Sequence, residues 1–209
     1  MLYENNEHNL VFQLNKLILI SLYYLYRNDA YLIEHKPDKS MAEFNDSKHH
    51  VGERSIVFRF AHYLQNEIRK IESFENLYVD CEYNRNIDDL KKLPEPDKRI
   101  IPDVIIHERG VNDNNMLVME FKTYWNNDQG HDEEKIECFT YAKGAYKYKY
   151  GVTVLINEYS AVVKGYEKGK NTHEIVIKIE CGKLHVTDNK VDGNELADFF
   201  KKYVDQISY

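Results

Sequence analysis

Residues 101–123 read IPDVIIHERGVNDNNMLVMEFKT, and both apolar runs in it, IPDVIIH and MLVMEFK, carry charge where a buried strand ordinarily has none. ERGVNDNN between them is rich in turn-forming residues, so strands are expected over 101–107 and 116–122, joined as a hairpin. Side chains alternate along a strand. Glu120 and Lys122 therefore share one face with Val118, while Leu117, Met119 and Phe121 take the other. If Met116 pairs with His107, Asp103 becomes the cross-strand partner of Glu120, with Cβ atoms ~5 Å apart. Two adjacent carboxylates repel and raise each other's pKa unless a cation lies between them. Hard oxygen donors without His or Cys suit Mg²⁺ or Mn²⁺. The structural alternative is a buried Glu120–Lys122 pair with Asp103 capping the preceding turn. A buried ion pair adds little stability over apolar residues, which weighs against that alternative.

Working outward, the apolar positions of 9–26 (Leu10, Leu14, Leu17, Ile18, Leu25) predict a largely buried helix. Residues 34–51 hold a proline and scattered charge and are expected to be a long loop or a short irregular helix. From Glu53 to Ile68, the positions Ile56, Val57, Phe60, Ala61, Leu64 and Ile68 follow helical spacing, giving an amphipathic helix. LYVDCEY (77–83) alternates as a strand, and RNIDDLKKLPEPDKR after it is expected to be an exposed connection. A helix is expected over 132–148, then a buried strand at GVTVLINE, a hairpin from HEIVIKIE and KLHVTD, and a final helix at NELADFFKKYVDQI.

The order helix, three strands, helix, strand, with Pro102-Asp103 and Glu120-Phe121-Lys122 on its hairpin, resembles the PD-(D/E)-x-K nuclease superfamily. The resemblance implies an α/β fold with a restriction-endonuclease-like αβββαβ core and a mixed central sheet flanked by helices. That core would span about 53–158, with an extra N-terminal helix before it and C-terminal strands and a helix over 159–209. It also implies a metal-dependent nuclease that hydrolyses phosphodiester bonds, with DNA the expected substrate. Asp103 and Glu120 would hold Mg²⁺ or Mn²⁺, and Lys122 would orient or activate the attacking water and offset charge growing in the transition state. Helices of this superfamily often supply a further glutamate, a role that falls to Glu53, one turn before Val57 on the inward stripe of its helix. The alternative for Glu53 is an acid placed favourably at a helix N-terminus. The alternative function is a non-catalytic module of the same fold, acting as a partner subunit in a nucleic-acid-processing or defence complex.

Bulk properties bound these expectations. A chain of 209 residues, 43% hydrophobic and 30% charged, suits one domain. Three cysteines (Cys81, Cys138, Cys181) without C-x-x-C spacing argue against a disulfide framework or a zinc site, and fit a reducing, cytoplasmic setting. LILISLYYLY at 17–26 is short of the ~20 residues of a membrane helix, and the start has no basic run of a signal peptide, so no membrane contact is expected. A net charge of −7 gives no general attraction to nucleic acid, so binding must come from a local basic surface, a protein partner or a homo-oligomer. YAKGAYKYKYG (141–151) interleaves Tyr with Lys, and its Lys143, Lys147 and Lys149 form the candidate substrate surface. A half-buried helix with snorkelling lysines is the alternative. Lys135 heads the stripe Cys138, Phe139, Ala142 and Ala145, and is either a phosphate contact or a solvated first-turn lysine. His49-His50, just before Glu53, reads as a solvated pair.

Overall fold

The computed structural model describes residues 2–34, 50–87, 89–92, 99–126, 132–180, 183–188, 196, 198–199 and 201–203. Most of the loop expected over 34–51, including His49, lies outside these residues, as does Cys181. The chain is an α/β protein built on a mixed sheet of seven strands. Helix α1 (Leu2–Asn28) is followed by α2 (Glu53–Ile68), then β1 (Tyr78–Cys81). A two-stranded ribbon of β2 (Arg85–Asn86) and β3 (Asp89–Leu90) precedes the central hairpin, β4 (Val104–His107) and β5 (Leu117–Thr123). Helix α3 (Asp132–Thr140) crosses to β6 (Tyr150–Ile156), and β7 (Ser160–Glu167), β8 (Lys170–Glu180) and β9 (Lys183–Asp188) complete the sheet. Strand order is β1-β4-β5-β6-β7-β8-β9. Among the described strands only the β5–β6 pair is parallel, joined through α3, because a parallel neighbour cannot be reached by a tight turn.

Alternation in β4 and β5 sorts the two faces. Val104, Ile106, Leu117, Met119 and Phe121 join the large core under α1 and α2, where Phe60 and Phe121 lie 4.8 Å apart between ring centroids. Ile105 and Val118 face the other way and pack with Ile136 and Phe139 of α3. Gly151 lets α3 sit down on β6, since a Cβ there would come within 2.6 Å of the methyls of both Ile136 and Thr140. The stripe expected for α2 is buried throughout, from Ile56 to Ile68. No helix among the described residues is long and apolar enough to cross a membrane.

Three readings of the sequence are corrected. Helix α3 stops at Thr140 rather than 148. Beyond it, a turn closes from the Gly144 amide to the Tyr141 carbonyl at 2.9 Å, and the chain then runs with Tyr146 and Tyr148 buried and Lys147 and Lys149 exposed. That is a period of two, so Lys143, Lys147 and Lys149 do not share a helix face. The connection over 85–99 is only partly exposed. Lys91 is buried, donating to the Tyr83 and Arg85 carbonyls at 3.0 and 2.5 Å, while residues 93–98 lie outside the described set. Strand β7 fills the gap before the expected C-terminal hairpin, which itself forms as β8 and β9. The C-terminal helix is helical at the residues described there, and Leu196 is buried against the core.

Candidate functional site

The hairpin register, Val104 opposite Met119, Ile105 opposite Val118 and Ile106 opposite Leu117, carries forward to Asp103 opposite Glu120. Asp103 sits just before β4. Its Oδ2 accepts the Phe121 amide at 2.7 Å, and its Oδ1 takes no hydrogen bond among the described residues. Burial, then the charge of Glu53, pushes the Asp103 carboxyl up to about 6, with the Phe121 amide opposing. Glu120 is 2% exposed on the α3 side of the sheet. Burial and the neighbouring Asp103 lift it to about 8, against the pull of Lys135.

The lysines arrive from two elements. Lys135, on the first turn of α3, donates to Glu120 Oε2 and Asp132 Oδ1, both at 3.0 Å. Lys122, one strand period beyond Glu120, reaches the other oxygen of Asp132 at 3.1 Å. Burial lowers both lysine pKa values, but the surrounding acids win. Glu120 and Asp132 hold Lys135 above the usual lysine value, and Asp132 does so for Lys122. One Glu120 oxygen is thus committed to Lys135. Its Oε1 is buried and has no hydrogen-bond partner, a costly state for a carboxylate unless something supplies the missing interaction.

Glu53 enters from the N-terminus of α2. Its Oε2 accepts the Thr123 amide at 3.0 Å, the Thr123 hydroxyl at 3.3 Å and the Asn126 amide at 3.3 Å, tying the helix start to the end of β5. Its charge is felt at Asp103 and Lys122. Glu53, Asp103, Glu120, Lys122 and Lys135 are therefore brought to one neighbourhood, whereas Lys143, Lys147 and Lys149 belong to the segment past the far end of α3. Among the described residues, no group of three or more His, Cys, Asp or Glu side chains is close enough to hold a metal by itself. Asp103 and Glu120 form the pair, with Glu53 beside it. His50 stacks on Trp125 with ring centroids 4.2 Å apart and planes 8° from parallel, so it is not a freely solvated ring.

Asp132 is the residue that sequence reading missed. The available signal was an acid in the first turn of a helix, three residues before Lys135. What that signal lacks is Lys122, which only tertiary structure brings to the same carboxylate. The fold and site together define an α/β protein with a carboxylate pair and two acid-held lysines beside the second strand of its central hairpin. The chain matches no protein-family model, no curated protein and no solved structure.

Proposed function

We propose that the chain is a metal-dependent nuclease of the PD-(D/E)-x-K type, with a restriction-endonuclease-like core, cleaving nucleic-acid phosphodiesters, DNA foremost. The observation that carries this reading is the buried, unpartnered Glu120 Oε1 beside an Asp103 in the same register, with Lys122 on the same strand face. The donor chemistry fits a divalent ion. Both carboxyls are held above their ordinary pKa by burial and by a neighbouring acid, Glu53 for Asp103 and Asp103 for Glu120, the condition that a hard cation relieves. Asp103 and Glu120 would hold Mg²⁺ or Mn²⁺, with Glu53 lending charge from α2. A bound ion of that kind lowers the pKa of water and polarises a phosphoryl oxygen.

The protein's own groups divide the remaining work. Lys122, a quarter exposed and anchored by Asp132, offers a fixed positive charge where phosphorane charge grows, at no reorganisation cost during reaction. Lys135 neutralises one Glu120 oxygen and keeps the carboxyl pointed into the site. Asp132 holds both amines, Lys122 at 3.1 Å and Lys135 at 3.0 Å.

That Lys135 contact also favours a second reading, in which the internal cation satisfies the site and the protein is a nuclease-fold binding subunit without turnover. Hydrolysis of a labelled duplex separates the two. Cleavage is expected with Mg²⁺ or Mn²⁺, poorly with Ca²⁺ and not with EDTA. Activity that survives EDTA refutes the nuclease reading, and tight binding without cleavage selects the subunit.

A further inference from the structure

Past the C-terminal end of α3 lies a cavity of about 210 Å³ lined by Lys147, Lys149 and Lys168, with Leu10 and Tyr148 among its apolar walls. Glu167 is the acid among its lining residues. Three lysines around one carboxylate make a local basic spot on a chain of net charge −7. Lys147 and Lys149 are exposed and make no ion pair among the described residues.

Two of the three lysines stand where lysine is a poor backbone choice. φ is 51° at Lys147 and 53° at Lys168. Lys168 and Gly169 form the two-residue link between β7 and β8, both with positive φ, a turn that favours Asn-Gly. Backbone that prefers Asn but carries Lys, twice around one cavity, indicates a use for the amines. The volume is below the ~300–1,000 Å³ of pockets that enclose a whole small molecule, and suits one phosphate-bearing unit.

We propose that this pocket binds a backbone phosphate of the nucleic acid whose cleavage is assigned above to the Asp103–Glu120 site, so the assignment rests on that reading. Thr153 lies opposite Glu120, and Lys149 is four residues before it. At strand rise that is ~13 Å, a separation that one nucleic-acid substrate can span. The pocket contributes affinity and register, and the acid pair contributes chemistry.

The test exploits the backbone. Asn tolerates left-handed φ, so Lys147→Asn with Lys168→Asn removes two charges without adding strain, and the double variant is expected to melt no lower than wild type. Anisotropy of a fluorescein-labelled 20-base-pair duplex is measured in EDTA at several salt concentrations. Affinity is expected to fall about tenfold or more at low salt, and the slope of log K on log[salt] to shrink by about 0.9 per lost contact. A charge-matched control, Lys70→Asn with Lys178→Asn, is expected to change little. The assignment is overturned by unchanged duplex binding in the pocket variant, by equal weakening in the control, by no duplex binding in wild type, or by lysine-dependent binding of free AMP alone. Binding in EDTA needs no turnover, so this result stands apart from whether Asp103→Ala abolishes cleavage.

Discussion

Asp103→Asn isolates the electrostatic cost built into the site. Asn can still accept the Phe121 amide through Oδ1, so the 2.7 Å hydrogen bond survives while the charge goes. The Asp103 carboxyl is raised from 3.8 to about 6 in the folded chain. A carboxyl with a raised folded pKa binds its proton more tightly when folded, so its ionisation destabilises the protein. The penalty starts near the unfolded value, grows as pH rises, and is complete above the folded pKa. Two units correspond to ~3 kcal/mol at ~1.4 kcal/mol each, an upper figure for a group that is mostly buried. In EDTA at pH 8, Asp103→Asn is expected to stabilise by about 2–3 kcal/mol. The gain should shrink to well under half of that at pH 4.5. For a protein of this size this raises Tm by roughly 4–12 °C at pH 8. Urea melts at the two pH values measure it. A variant destabilised equally at both would mean that the carboxylate is a structural cap, and the argument for a strained acid pair would fail.

Four further outcomes follow from the same geometry. Saturating Mg²⁺ or Mn²⁺ should raise the wild-type Tm at pH 7.5 and release a proton on binding, because Glu120, raised to about 8, must give up its own, and Asp103→Ala should weaken both effects in calorimetry. Gly151→Ala should push α3 off β6, since the added methyl meets Ile136 and Thr140 at 2.6 Å; a loss of activity exceeding the loss of Tm would show that the Lys135 and Asp132 contacts move with the helix. Phe60→Ala removes a fully buried ring packed on Phe121 and should cost about 3–5 kcal/mol in urea melts at every pH. Asp132→Ala frees Lys122 and leaves Lys135 held by Glu120 alone, so turnover should fall with little change in KM, while Asp132→Glu should recover part of it.

What the residues disclosed depended on whether local pattern and tertiary partner agreed. Helix α2 was legible because six apolar positions keep one period and end together. The hairpin register was legible because a slip of one residue would have turned Glu120 and Lys122 into the main core. The segment after Thr140 misled because Ala, Lys and Tyr suit a helix by composition, while Gly144 and the in–out alternation of Tyr146 and Tyr148 decide otherwise. Strand β7 was hidden by Lys164 and Gly165, which interrupt its apolar run. Lys164 pairs with Glu133 of α3, and Gly165 makes room for the buried Tyr150–His173 contact. Within the candidate site, alternation put Glu120 and Lys122 on one strand face, and the assumed hairpin register set Asp103 opposite Glu120. The Lys135–Glu120 contact and the double role of Asp132 arise from where α3 lands, which no local pattern encodes.

The central claim is that Lys122 and the acid pair act on a phosphodiester, and single-turnover cleavage of a labelled duplex by Lys122→Ala tests it most directly. With Mn²⁺ binding and Tm checked beside wild type, the variant should bind metal and fold normally yet cleave about 100- to 1,000-fold more slowly. Equal rates for the two proteins, or no metal-dependent cleavage by wild type at all, would contradict the account.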